Sequence, residues 1–244
     1  VSLVFGFENP FRAGSRVGAV AGMLARPSPP GDSALDRNPS SDPRAPFTLP
    51  GRSQRRLQRP PDFTGGRLCH FREVFLRHGL PGGLLAGLLC LHEAPRETGL
   101  RLLEPALDAP LRYGLAGAVI ATALLALAAV RDRGLTPPQL GWTLYLGALS
   151  AWEEFVFRVG LPALLTAIGV DALVAVIGAN VLFGAMHWFT LRWRLAWCLA
   201  AGLGGIALAR ALEQREDLLL VIALHWIGTF LNTPRPPSGA RHAD

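Results

Sequence analysis

The pattern of apolar and polar positions divides the chain in two. Up to about residue 70, hydrophobic residues are scattered among Pro, Ser, Asp and Arg without helical period, and ten of the twenty prolines fall within residues 1–66. Prolines at that density remove backbone donors and clash with the preceding turn, so no long helix is expected between Pro27 and Pro61. Residues 1–70 are therefore read as a disordered, Arg/Pro-rich tail. Val1 to Met23 is moderately apolar but lacks the basic, apolar and cleavage-site order of a signal peptide. The sequence opens on valine, and a start further along the chain would remove the tail.

From residue 74 the pattern changes to long apolar runs, and six segments are expected to be helical. The first, about 74–92, is interrupted by His78, Gly79, Pro81, Gly82 and Gly83 and reads as a broken span or an interfacial helix. The second, 111–130, is continuous. The third begins at Pro137-Pro138, residues suited to a helix first turn, and runs on to Gly169 with a bend near Gly160 and Pro162. The fourth, 171–190, opens on Asp171; the fifth, 194–212, is rich in Gly and Ala; the sixth, 217–232, ends before Pro234. Gly202, Gly204 and Gly205 in the fifth suit close helix contact. No internal repeat is apparent. The fold class is thus all-α, a polytopic transmembrane bundle of about six helices behind a disordered tail.

Charge orients this bundle. All 24 basic residues are arginine, and twelve of them precede residue 79 against six acids, so the whole +6 excess sits in the N-terminal third. A basic tail ahead of membrane spans reads as cytoplasmic retention, and no nucleic-acid partner is expected. If all six segments span, Arg131/Arg133, Arg192/Arg194 and Arg235/Arg241 fall on the side of the N-terminus. The other side receives 93–110 and 210–217, where acids offset the arginines. Both termini are then cytoplasmic. Trp188, Trp193 and Trp197 flank Arg192 and Arg194 as an interfacial aromatic belt would.

Three polar constellations interrupt the apolar runs. Glu153-Glu154 and Arg158 lie in the third segment. Glu154 and Arg158 are four residues apart and share a face in the favourable acid-first order, while Glu153 points about 100° away. In the fourth, Asn180 lies two turns before His187 on the same face, within Phe183-Gly-Ala-Met-His187. In the sixth, Thr229 and Asn232 share a face with His225. A lone Glu154–Arg158 pair has a structural explanation, and so does one hydrogen-bonded histidine. Two histidines on separate apolar helices with a carboxylate pair on a third point to function, because ionisable groups at membrane depth are costly. Cys69, Cys90 and Cys198 have no ligand spacing, and His92-Glu93 lacks the second histidine of a zinc-protease helix, since residue 96 is arginine.

In order, E-E-x-x-x-R (Glu153 to Arg158), F-x-x-x-H (Phe183 to His187) and a late helical histidine (His225) resemble the CAAX protease and bacteriocin-processing (CPBP) family of intramembrane endopeptidases over about 138–232. The resemblance implies a transmembrane protease domain over 71–235, followed by a short tail, 236–244. It implies an integral membrane enzyme that hydrolyses a peptide bond in a membrane-anchored protein or peptide. Glu153 and His187 would activate water, Glu154 and Arg158 would orient the site, and His225 would hold the oxyanion. The family's last motif has asparagine four residues after the histidine. Here Thr229 stands in that place, and Asn232 follows one turn later as further oxyanion support. No cofactor is favoured; the alternative is zinc held by Glu153, His187 and His225. The all-arginine, alanine-rich composition points to a bacterial inner membrane and away from a prenylated substrate. The competing readings are a non-catalytic membrane binding or immunity protein and, last, an ion or proton relay.

Overall fold

The structure is a computed structural model, and it describes residues 56–60 and 68–237. Among these residues the fold is all-α, with one isolated antiparallel bridge between Gln58 and Trp193. There are seven helices when each π turn is counted with the helix it interrupts: α1 (Phe71–Cys90), α2 (Glu93–Asp108), α3 (Pro110–Asp132), α4 (residues 137–167), α5 (Ala172–Thr190), α6 (Leu195–Arg215) and α7 (Leu218–Asn232). Six coincide with the six apolar segments. The seventh, α2, occupies the stretch read as a loop between spans. Its polar sequence, with Pro95 and an internal Pro105, hides a helix that folds back on α1 at 99°. Of the expected N-terminal tail, residues 56–60 and 68–70 are described and pack against the bundle; the rest, and 238–244, lie outside the described residues.

Local chemistry sets the helix ends. Thr136, Asp171 and Asp217 each accept from the first turn of α4, α5 and α7, satisfying donors that have no intrahelical partner. Arg133 and Glu216, at φ 56° and 49°, end α3 and α6 in the left-handed conformation. Within α1 and α4 the expected interruption takes the form of a π turn, Phe75–Gly79 and Phe155–Gly160, each followed by Leu-Pro. A proline inside a helix removes one donor and crowds the preceding turn, and a wide turn just before it accommodates both. These two turns reveal a short repeat that escapes a scan for long periods. Glu73, Arg77, Gly79, Leu80 and Pro81 recur as Glu154, Arg158, Gly160, Leu161 and Pro162.

Contacts between loops sort them to two ends. Arg131 and Gln139 both donate to the Pro234 carbonyl, Arg77 donates to the Phe189 carbonyl, and Leu68, Val74, Trp142, Leu191 and Phe230 share one cluster. At the other end Tyr113 donates to Asp217 and Arg101 to Glu216. The arginine-rich loops therefore gather at one end and the charge-balanced ones at the other.

Outward faces are apolar. Leu111 is 75 % exposed, Val130 80 % and Leu203 69 %. In water such a surface would drive association; in a bilayer it is the solvated face. Helices α3, α5 and α6 are long and apolar enough to cross a membrane, and the bent α1–α2 pair makes a fourth candidate. The chain is an integral membrane protein. Because lipid tails are as apolar as leucine, helix cohesion there comes from close packing and polar contacts. A Cβ on Gly184 would lie 2.7 Å from the Cys198 carbonyl oxygen, and one on Gly202 would lie 3.3 Å from the Asn180 carbonyl oxygen, so α5 and α6 touch backbone to backbone. Gly204 has no such neighbour within 4 Å.

Gly184→Ala is expected to lower stability in detergent by roughly 1–3 kcal/mol, because backbone cannot yield as a side chain does. Gly178→Ala, whose new methyl meets nothing within 4 Å, is expected to stay within about 0.5 kcal/mol of the parent. Thermal unfolding followed by near-UV circular dichroism separates the two.

Candidate active site

Helix α4 is the centre of the bundle and carries the acid pair. Glu153 and Glu154 end its α-helical part and are fully buried, and Arg158 follows within the π turn. Arg158 Nε lies 3.3 Å from Glu154 Oε2, and its guanidinium stacks over the Phe183 ring at 4.2 Å. Gly205 of α6 makes room for it: a Cβ there would fall 2.6 Å from Arg158 Nη2 and collide with Asn180 Oδ1.

Three histidines from three other helices close on the carboxylates. His225 of α7 places Nδ1 2.6 Å from Glu154 Oε1 and Nε2 3.6 Å from Glu153 Oε2. His187 of α5 donates Nδ1–H to the Phe183 carbonyl at 2.8 Å, which leaves Nε2 as the free nitrogen of the neutral ring. His78, in the π turn of α1, lies 2.7 Å from Glu153 Oε1 through Nε2 and 2.7 Å from Thr190 Oγ1 through Nδ1. Thr190 spends its one hydrogen on the Met186 carbonyl, so it accepts from His78 Nδ1–H. His78 Nε2 and Glu153 Oε1 then face each other as two acceptors, and a single shared proton must lie between them. That proton also balances charge: two carboxylates face one guanidinium, and an unpaired buried charge is costly.

The cluster borders a cavity of about 340 Å³, lined also by Trp142, Trp193, Gly204, Thr229 and Asn232. Thr229 and Asn232 therefore reach the cavity wall, although Asn232 Nδ2 donates to the Gly228 carbonyl in its own helix. Asn180 is buried on the His187 face and donates to the Val176 carbonyl.

Residues 136–231 match the sequence model of the family described as "Type II CAAX prenyl endopeptidase Rce1-like". The similarity to that family covers this segment, under half of the chain. This is the group of membrane endopeptidases that the three motifs resemble, and the matched segment contains all three. No curated protein and no solved structure matches the chain.

His78 lies outside the matched segment and is the site residue that the sequence reading passes over. Its setting, Arg-His-Gly-Leu-Pro in an interrupted apolar run, resembles an interfacial break. The signal that marks it is the repeat shared with the Arg158 turn. The set best placed to hold a metal is correspondingly His78, Glu153 and His187, whose ligand atoms lie within 4.8 Å of one another, and not Glu153, His187 and His225. Two histidines and a glutamate are a zinc donor set. As arranged, however, the 2.7 Å between His78 and Glu153 is a hydrogen bond. Two donors of a tetrahedral ion at ~2.0 Å would stand about 3.3 Å apart. The donor set fits a zinc ion in chemistry, and binding would replace the His78–Glu153 hydrogen bond by ligation.

Arg158→Met is expected to cost roughly 3–5 kcal/mol, because it leaves Glu154 buried without its cation. Adding Glu154→Gln is expected to recover more than half of that loss, read as a double-mutant cycle of unfolding in detergent.

Proposed function

We propose that the chain is an intramembrane endopeptidase that hydrolyses a peptide bond in a membrane-anchored protein or peptide with water activated by Glu153 and His187. One observation carries the reading. Glu153 and His187 both line one cavity, and a carboxylate oxygen of the one and a ring nitrogen of the other lie within 4.8 Å, a gap spanned by one water donating to both. Such a water directs a lone pair at the substrate carbonyl.

As its oxygen bonds to the carbonyl carbon, the water passes a proton to Glu153. The peptide nitrogen leaves with a proton returned from the site. His225 keeps Nδ1–H on Glu154, and when protonated it offers Nε2–H to the oxyanion at the same wall of the cavity. Thr229 lies one turn beyond, where a hydroxyl donor would supplement it. Arg158 balances and fixes Glu154 and, through it, the angle of His225. His78 is a positioning residue: it holds Oε1 of Glu153 so that Oε2 faces the water. In this reading the proton shared by His78 and Glu153 takes the place that a metal ion would have, so no metal is needed for the step. The arginine-rich end, by the positive-inside rule, is cytoplasmic, as are both termini, in a bacterial inner membrane. The domain boundaries proposed are 71–235 for the enzyme, with tails on either side.

The test is cleavage of a small library of membrane-anchored peptides in liposomes. Glu153→Gln and His187→Ala are expected to lower the rate by about 10²–10⁴ with or without chelator. His78→Gln is expected to lower kcat by roughly 10–100-fold, as loss of a supporting contact does, and to move the acidic limb of the pH–rate profile. Activity restored by zinc after chelation would overturn the metal-free reading. Full cellular function in both Glu153→Gln and His187→Ala would overturn catalysis and leave the non-catalytic binding protein.

A further inference from the structure

Leu57 and Gln58 form part of the cavity wall. Gln58, directly after the helical residues Arg56 and Leu57, makes a single antiparallel bridge with Trp193 in the link between α5 and α6. Arg59 N–H donates to the Arg192 carbonyl at 2.8 Å, and Arg194 N–H donates to the Leu57 carbonyl at 2.9 Å. Arg194 Nε adds a third contact, to the Gln58 carbonyl at 3.2 Å. Leu57, 1 % exposed, lines the cavity that also holds Glu153, His187 and His225. The arginines on either side of it lie on tryptophan faces: Arg56 over Trp197 at 5.2 Å and Arg59 over Trp188 at 4.3 Å.

Local backbone explains why this link can take a strand. Arg192, at φ 57°, turns the chain out of the helix and leaves its carbonyl and the Arg194 amide without intrahelical partners. Trp193 stacks on the other side, its ring 4.5 Å from the His187 ring. A peptide held by this backbone is therefore laid beside the histidine that faces the proposed water.

We infer that Arg192–Arg194 is a docking strip for an extended substrate segment, and that the short pairing of residues 57–59, where the chain leaves a helix, is an internal mimic of it. The inference rests on the protease reading. It names the class of ligand: an extended peptide with a leucine-sized apolar side chain set between cationic residues, in the pattern Arg-Leu-x-Arg. Main-chain pairing supplies the hold, the cavity reads the apolar side chain, and the two tryptophans read its flanking cations. Hydrolysis needs an extended stretch, since a helix turns its peptide groups inward on one another. A substrate must displace residues 56–59 to be cut.

The test uses the full chain in detergent micelles with Glu153→Gln, so that binding is read without cleavage. The probe is a fluorescein-labelled Arg-Arg-Leu-Gln-Arg-Pro peptide, the sequence of residues 55–60, followed by anisotropy. With the native segment in place binding is expected to be weak. Leu57→Asp, which expels the segment from the cavity, is expected to tighten it at least tenfold. Arg59→Pro, which removes one of the two main-chain donors and leaves Leu57 intact, is expected to do the same and covers the case in which Leu57→Asp fails to fold. In Arg59→Pro the Arg194 amide is expected to exchange with deuterium faster and to regain protection when the peptide is added. A peptide with Asp for Leu is expected not to bind. Equal weak binding to the parent and to the folded variants, or binding indifferent to the Leu-to-Asp change, would overturn the docking strip. Neither result touches the cleavage assay, and an inactive Glu153 reading would leave this binding in place.

Discussion

Two carboxylates sit side by side in the middle of a bundle whose outer surface is hydrocarbon, and the rest of the structure answers to that fact. A single buried charge is expensive at such depth. Arg158 offsets one of the pair from its own helix, four residues on. The other is met by a histidine that comes from α1, and a second and third ring arrive from α5 and α7. Four helices are thereby tied to one point. Since apolar burial gives little cohesion against lipid, these polar contacts and the glycine contacts between α5 and α6 are what define the packing. The site and the fold's internal order are the same set of interactions.

The two π turns are the device that brings α1 and α4 into that arrangement. Both carry a site residue, His78 or Arg158, at the position before or two before their terminal glycine. Gly79 admits Tyr145 of α4, and Gly160 admits Leu89 of α1, so each turn is also a seat for the other helix. The shared sequence does not give shared chemistry. Glu73 accepts from the Cys69 and His70 amides at the start of α1, whereas Glu154 is paired inside the site. Arg77 reaches out to the Phe189 carbonyl, whereas its counterpart Arg158 is buried against Phe183. One turn supplies a histidine to the carboxylates and the other an arginine.

Much of this was legible from residue order. Glu153, Glu154 and Arg158 announce themselves because charges inside a long apolar run have few structural explanations, and His187 and His225 do so by sharing that property. Asp171 and the Pro137-Pro138 step mark helix starts by the same local rules that the structure follows. What was not legible depended on partners distant in sequence. His78 looks like part of a break until Thr190 and Glu153 are seen on its two nitrogens. Helix α2 lacks an apolar run because it is polar on one side and packs Gly99 against Phe155 on the other, so hydropathy alone reads it as a loop. Residues 56–60 are composed like the tail that precedes them, and only their main-chain pairing with Arg192 and Arg194 distinguishes them.

The same pairing bears on how a membrane protease meets its substrate. In hydrocarbon, backbone groups must be satisfied within the protein, and a helix does this for its own peptide bonds at the cost of hiding them. An enzyme that cuts such a chain needs a place where backbone leaves the helical pattern and still finds partners. Helix α5 ends in such a place. Its last turn carries His187, and the left-handed Arg192 soon after it turns the backbone out of the helix, where the Arg192 carbonyl and the Arg194 amide pair with Arg59 and Leu57 beside the cavity. The residue proposed to face the reacting water and the backbone proposed to hold a substrate are thus set by one helix terminus, five to seven residues apart. The position of His187 so close to the end of α5, which looks too shallow for a mid-helix glutamate when the helices are taken as parallel rods, is the position that this coupling requires.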